Sequence, residues 1–283
     1  MSEILKGAPV AAQIRAKIAE KIEICRLKGV DPKVAIVRVG ENPDDIAYEK
    51  RVKSNCEKVG LSYHVFVLDD DITQEDFEKG FADINGSADI DGILLFRPLP
   101  KHLDEEKICG MIDPKKDIDC MNPVNLNKVF NGDKDRFAPC TSEAVVEILK
   151  YYEVPIAGAN AVVVNRSMVL GKPLAMLLLD ENATVTVCHS KTADIKAHTK
   201  QADIVVTGVG KANFFGKEFF SEKNVVVDVG INFAEGRMTG DVDFEQAEPV
   251  VKAITPVPGG VGAVTSMILL KHAVEAAWRR VNG

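Results

Sequence analysis

Apolar residues recur every third or fourth place through residues 8–28, at Val10, Ile14, Ile18, Ile22 and Cys25, the spacing that lines one face of an α-helix. The pattern then changes to VAIVRVG (34–40), an apolar run that ends in glycine and predicts a buried strand. A helix carrying Tyr48 follows. After it come a strand at 63–68 (YHVFVL), a helix opening at Thr73 with Glu75 and Asp76 in its first turn, and a strand at 92–96 (GILLF) before the turn RPLP. Strands alternating with helices predict a parallel α/β sheet, which binds ligands beyond the carboxyl ends of its strands. VGENP, RPLP and DIDC all fall there, so this half is expected to face substrate.

Between Pro139 and Val264 the alternation restarts with a helix at 142–152, AVVVN (161–165), a helix at 171–181, TVTVC (184–188), a helix at 192–200, DIVVTG (203–208) and NVVVDVG (224–230). The expected organisation is an N-terminal α/β domain over 1–139 and a Rossmann domain over 140–265. A final helix, 266–283, should complete the first domain, because its stripe of Met267, Leu270, Val274 and Ala277 is too short to be stable alone in water.

With 46% hydrophobic residues, the 283-residue chain can fill two cores, and its 27% of charged residues are mixed in sign. A net charge of −7 argues against a broad nucleic-acid footprint and leaves a small ligand as the expected partner. MSEILKGAPVAAQIRAK has no apolar run behind a basic start, and no stretch of 18 apolar residues occurs, so a cytoplasmic protein with no membrane partner is expected. Cys25, Cys56, Cys109, Cys120, Cys140 and Cys188 form no CxxC pair, and the five histidines are dispersed; reduced thiols and no metal site are the expectation.

The first strand of the second half runs into NRSMVLGKP, where a dinucleotide fold places its phosphate turn. It is not GxGxxG: Asn165 stands at the first glycine, and asparagine is expected to serve by tolerating positive φ. An NAD-preferring site has an acid about 20 residues further on, but here CHSKT (188–192) offers none. Ser190, with Lys191 and Arg166 nearby, suits a 2′-phosphate and hence NADP, with NAD possible; the alternative is that both cations are solvated surface charges. His189 by itself reads as structural.

YEKRVKSNC (48–56) raises a second matter. Residues on a helix advance about 100° each, so Val52 lies about 40° from Tyr48, Arg51 about 60° away on the other side, and Lys50 and Lys53 about 160° and 140° away. The position best placed to act beside the tyrosine is therefore apolar.

ITPVPGGVGAVT (254–265), together with VGENP, GILLFRPLP, DPKKDID, FAPCT, CHSKT and VDVGIN in this order, closely resembles the methylenetetrahydrofolate dehydrogenase/cyclohydrolase family over essentially the whole chain. The resemblance implies a two-domain α/β homodimer with a folate cleft between the domains and the last helix returning to the first. It also implies oxidation of 5,10-methylenetetrahydrofolate by NAD(P)+ in one-carbon metabolism, followed in most members by hydrolysis of the methenyl product to 10-formyltetrahydrofolate. Carried over residue by residue, Tyr48 stacks along the folate and Asp119 hydrogen-bonds the pterin, while Pro258, Gly259, Gly260 and Gly262 let the backbone approach it. Asn165, Arg166, Ser167, Ser190, Ile231 and Thr265 hold the dinucleotide.

The chain departs from the family where proton transfer is concerned. The family's catalytic lysine and its partner glutamine correspond to Val52 and Phe96; Asp45, Arg97, Cys120, Ser142, Ala263 and Val264 also break the pattern. Hydride transfer needs positioning, with the electron push coming from the folate nitrogen, whereas hydrolysis needs proton movement. Losing a general acid or base costs about 10²–10⁴-fold, so the expectation is an NADP-dependent dehydrogenase with weak or lost cyclohydrolase activity. The alternatives are a bifunctional enzyme whose proton transfers have moved to Lys53 or Arg97, and a catalytically silent dinucleotide-binding homologue.

Overall fold

In the computed structural model, which describes residues 2–234 and 236–282, a two-residue strand β1 (Glu3–Ile4) precedes helix α1 (Gly7–Leu27). All five apolar stripe residues of α1 are buried. Strand β2 (Lys33–Val39) leads to α2 (Pro43–Val59), which starts where the Asn42 side chain accepts from the Asp44 amide and ends at Gly60, whose φ of 72° suits glycine. Then come β3 (Ser62–Leu68), α3 (Gln74–Gly86, capped by Thr73), β4 (Gly92–Leu95), α4 (Glu105–Met111) and α5 (Pro123–Phe130). The second half contributes α6 (Cys140–Tyr151), β5 (Asn160–Val164), α7 (Gly171–Asp180), β6 (Thr184–Cys188), α8 (Ile195–Gln201), β7 (Ile204–Thr207) and β8 (Val225–Asp228). A hairpin of β9 (Asn232–Ala234) and β10 (Arg237–Thr239), short α9 (Phe244–Ala247), β11 (Ala253–Ile254) and α10 (Val261–Asn282) complete the chain.

The chain divides into two compact units. One comprises Gln13–Lys128, Asp135–Ala138 and the residues from Ser266 onward. Its parallel sheet has the order β3-β2-β4, and its core packs Val37, Phe77, Phe81, Ile93 and Ile108. The last helix joins this unit through specific contacts: a Cβ on Gly92 would stand 3.1 Å from the Ala273 Cβ, Arg280 pairs with Asp91 at 2.9 Å, and Lys21 with Glu275 at 3.3 Å.

The other unit comprises residues up to Ala12, Val129–Lys134 and Pro139–Thr265. Its six parallel strands lie in the order β1-β11-β8-β7-β5-β6, so the chain's first residues add an edge strand to this sheet. The reason is pairing over a long sequence distance: Glu3 and Ile4 align with Ala253 and Ile254, and the Gly7 amide donates to Gly259 O at 2.8 Å.

β2 in one sheet and β5 in the other are flanked by strands reached in opposite directions, which makes a switch point beyond the carboxyl ends of β2 and β4 in one and of β5 and β7 in the other. Among the described residues, no helix is long and apolar enough to cross a membrane, and no group of three or more His, Cys, Asp and Glu side chains could hold a metal ion.

Candidate active site

Just past the β2/β4 switch point the Tyr48 and Phe96 rings meet, with centroids 5.0 Å apart and planes tilted by 40°. Phe96 is fixed by its amide, which donates to Val37 O at 2.8 Å, and by burial to 5% exposure. Tyr48 stays 36% exposed, whereas Val52, one turn on, is buried to 4%. The seat beside the tyrosine is thus filled by hydrocarbon.

The cations around it are arranged by a buried pair that sequence reasoning missed. Arg38 donates from Nε to Glu49 at 2.7 Å and from its guanidinium to Gly40 O. Lys53 reaches the other Glu49 oxygen at 3.5 Å, and Arg97 pairs with Glu105 at 3.4 Å. The signal was present: an arginine inside the strand VAIVRV cannot stay buried without a carboxylate, and Glu49 is the buried acid on the next helix. Lys53 and Arg97, the two groups considered as replacement proton carriers, are both engaged with carboxylates.

Asp119, half-buried, sits in a loop organised by its neighbour Asp117, which accepts from the Met121 amide (2.8 Å), the Asn122 amide (2.9 Å) and Asn125 Nδ2 (2.9 Å). Burial pushes the Asp117 carboxyl above the usual range despite these donors. His272 of α10 donates from Nδ1 to Ile118 O at 2.8 Å, holding the chain just before Asp119. Immediately after it, Cys120 adopts φ of 56°, the left-handed region that favours glycine.

At the other switch point Asn165 joins three backbone groups. Its Oδ1 accepts from the amides of Ser167 (2.7 Å) and Gly171 (3.0 Å), and its Nδ2 donates to Gly208 O, tying the exit of β5 to that of β7. Asn165 is not among the residues with positive φ, so the expectation that it replaces glycine through backbone freedom is corrected: its side chain organises the turn instead. Gly171 permits the close approach, since a Cβ there would stand 2.0 Å from Asn165 O. Arg166 and Ser167 are exposed on this turn, and Ser190 is exposed on the loop leaving the neighbouring strand, where Val164 pairs with Cys188.

The Ser190 turn is shaped by its own side chains. The His189 amide donates to Thr192 Oγ1 at 2.9 Å, and the Lys191 amide donates to His189 Nδ1 at 3.1 Å, which gives the histidine a structural role.

The loop before α10 depends on glycine. Gly259 has φ of 103°, a Cβ on Gly260 would stand 2.6 Å from Pro256 O, and Pro258 lies between this pair and Val257. Gly262 faces Ile231, which is largely exposed; Thr265 donates its hydroxyl to Val261 O at 3.2 Å. Two acids escaped sequence reasoning here. Asp241 accepts from the amides of Val209, Gly210 and Lys211 and so shapes the loop after β7, and Asp228 accepts from the amides of Gly230 (2.9 Å) and Val242 (2.8 Å). Burial, reinforced by the charge of Asp241, pushes the Asp228 carboxyl up to about 6.

One α/β unit carries a turn of the dinucleotide-binding type and the other an aromatic, carboxylate-bearing switch point, features of a two-domain α/β protein with a nucleotide-binding half. The comparisons make this specific: residues 5–119 match the tetrahydrofolate dehydrogenase/cyclohydrolase catalytic domain and residues 139–281 its NAD(P)-binding domain, and the chain belongs to that family. It is 51% identical over 280 residues to the bifunctional protein FolD of Clostridium botulinum (strain Kyoto / Type A2), covering 99% of both chains. It superposes on the bifunctional FolD methylenetetrahydrofolate dehydrogenase/cyclohydrolase of Campylobacter jejuni with a TM-score of 0.96, at 37% identity and covering 99% of this chain and 100% of that one. The Trypanosoma brucei dehydrogenase-cyclohydrolase, solved with NADP cofactor and an inhibitor, gives 0.92 at 32% identity, covering 100% and 99%. Two of these relatives are named as dehydrogenase and cyclohydrolase and the third as bifunctional, which favours the two-activity alternative over the expectation that hydrolysis is weak or lost.

Proposed function

We propose that the chain oxidises 5,10-methylenetetrahydrofolate to 5,10-methenyltetrahydrofolate with NADP+ and, as its relatives' names suggest, also hydrolyses the methenyl product to 10-formyltetrahydrofolate. The observation that carries the proposal is a match to both domains of one family along nearly the full chain.

In this reading Tyr48 offers its half-exposed ring to the folate, Asp119 takes a hydrogen bond from the pterin, and the backbone of Pro258, Gly259, Gly260 and Gly262 approaches it where side chains would obstruct. Arg166 and Ser190 bind the 2′-phosphate, Asn165 and Ser167 hold the turn beneath the diphosphate, and Ile231 and Thr265 line the remainder. When bound, the dinucleotide accepts the hydride. The residues present fit it: Gly171 allows the helix start to lie against Asn165, Arg166 is an exposed cation, and no acid stands in the CHSKT turn. The protein's own task is positioning, since the folate nitrogen expels the hydride.

One specific observation favours a second reading, in which hydrolysis is weak or lost: Val52 and Phe96 are both buried hydrocarbon beside Tyr48. One preparation tests both readings, through NADP+ reduction with methylenetetrahydrofolate and through loss of added methenyltetrahydrofolate. Two activities support the first reading and reduction alone the second. Neither activity, with dinucleotide binding intact, leaves the silent homologue.

Homodimerisation through the β9–β10 hairpin and a cytoplasmic site of action complete the proposal. They are supported by Phe233, 77% exposed on that hairpin, and by six free, buried cysteines. Sedimentation of Phe233→Asp against the unaltered protein tests the first; a monomer in both cases rejects it.

A further inference from the structure

Arg51 stands one turn after Tyr48 on α2, exposed, with its guanidinium carbon 5.7 Å from the centre of the tyrosine ring. Three other cations of this unit are held by carboxylates: Arg38 and Lys53 by Glu49, and Arg97 by Glu105. Among the described residues, no carboxylate forms an ion pair with Arg51; its recorded contact is the ring. Phe96 also contacts Tyr48, so the ring has an apolar residue and a cation among its neighbours.

That asymmetry matches the chemistry of a folate, whose aromatic aminobenzoyl ring carries a glutamate with α- and γ-carboxylates. We propose that Arg51 is a specificity-determining residue that pairs with a glutamate carboxylate of the substrate, an assignment that rests on Tyr48 stacking along the folate. The tyrosine face keeps the planar guanidinium oriented, and a guanidinium sheds its hydration more readily than an ammonium and meets a carboxylate with two parallel N–H donors. The carboxylate of Glu49, the next residue after Tyr48, is held by Arg38 and Lys53 and is thereby prevented from competing for Arg51.

The test compares two substrates: 5,10-methylenetetrahydrofolate, and the corresponding tetrahydropteroate, which has the ring system without the glutamate. Arg51→Ala should raise KM for the folate about tenfold, the loss expected for one charge-assisted pair, with kcat within a factor of about two and KM for NADP+ unchanged. KM for the tetrahydropteroate should not move, so the preference of the unaltered protein for the glutamate-bearing substrate collapses. Arg51→Lys should restore part of that preference and Arg51→Glu should abolish it. An equal KM shift for both substrates, or no shift for either, overturns the proposal, because a merely structural arginine could not tell the two apart. Failure of the folate reading itself is separately visible as an unaltered protein that oxidises neither substrate, or as a Tyr48→Ala variant that changes KM for neither.

Discussion

Phe96 lies against Tyr48 with ring centroids 5.0 Å apart, and with the buried Val52 one turn on from the tyrosine it places hydrocarbon beside that ring. A charge placed there enters a site built for hydrocarbon.

Val52→Lys alone should therefore lower unfolding free energy by about 1–3 kcal/mol, because an ammonium at a buried position must shed its proton, distort the helix or stay poorly solvated. Adding Phe96→Gln supplies a polar partner. The double variant should lose less stability than the two single changes summed, and should hydrolyse methenyltetrahydrofolate faster than the parent by up to about 10²-fold. Denaturant titration and the methenyl assay read the two effects. Strict additivity in stability with unchanged hydrolysis would show that positions 52 and 96 do not work together.

Cofactor choice turns on Arg166. A charge-assisted pair with a 2′-phosphate is worth about 1.5–3 kcal/mol, so Arg166→Ala should raise KM for NADP+ about tenfold or more and leave KM for NAD+ nearly unchanged. Steady-state kinetics with both cofactors decides it, and parallel changes would remove Arg166 from the 2′-phosphate.

Local patterns were legible in the sequence wherever one element's period sufficed. The stripe from Val10 to Cys25 placed α1, Thr73 with Glu75 and Asp76 placed the start of α3, and the β-branched runs placed β2, β5 and β8 within a residue or two. Features that depend on partners far along the chain were not legible. Glu3 and Ile4 are too few to read as a strand until they meet Ala253 and Ile254. Asn165 was read through backbone freedom; two of its side-chain partners, the Ser167 and Gly171 amides, are local, but the third, Gly208 O, lies 43 residues away. That Val52 shares the face of Tyr48 was readable from helical spacing, but the Arg38–Glu49 pair that neutralises the acid on the same helix required the fold.

Asp228 gives a pH signature. Its ordinary pKa of 3.8 rises to about 6 in the folded chain, so between those values the folded state holds a proton that the unfolded state has released. The contribution is fully present below about 3.8 and is lost as pH rises through about 6, a span of roughly 3 kcal/mol at most. Stability measured by denaturant from pH 4 to pH 7 should fall more steeply in the unaltered protein than in Asp228→Asn, which cannot ionise. Asp91 and Asp117, also pushed up by burial, slope the same way in both proteins and cancel in the difference. Parallel curves would mean that Asp228 is ionised in the fold throughout.

Cys120 is a strained point beside Asp119. Its φ of 56° costs a side-chain-bearing residue about 1–2 kcal/mol relative to glycine, yet the thiol is buried and its packing offsets part of that cost. Cys120→Gly alone therefore mixes relief of strain with loss of packing and has no clear sign. The comparison that isolates strain is Cys120→Gly against Cys120→Ala, since both remove the sulfur but only alanine keeps a Cβ in the left-handed region. The glycine variant should be the more stable by about 1 kcal/mol in denaturant titration. KM for methylenetetrahydrofolate should follow the same order if Asp119 binds the pterin, because backbone strain one residue away bears on the carboxylate's placement. Equal stability of the two variants would mean that the loop relaxes out of the left-handed conformation once the thiol is gone, and that the buried sulfur is what holds Cys120, and with it the chain after Asp119, in that shape.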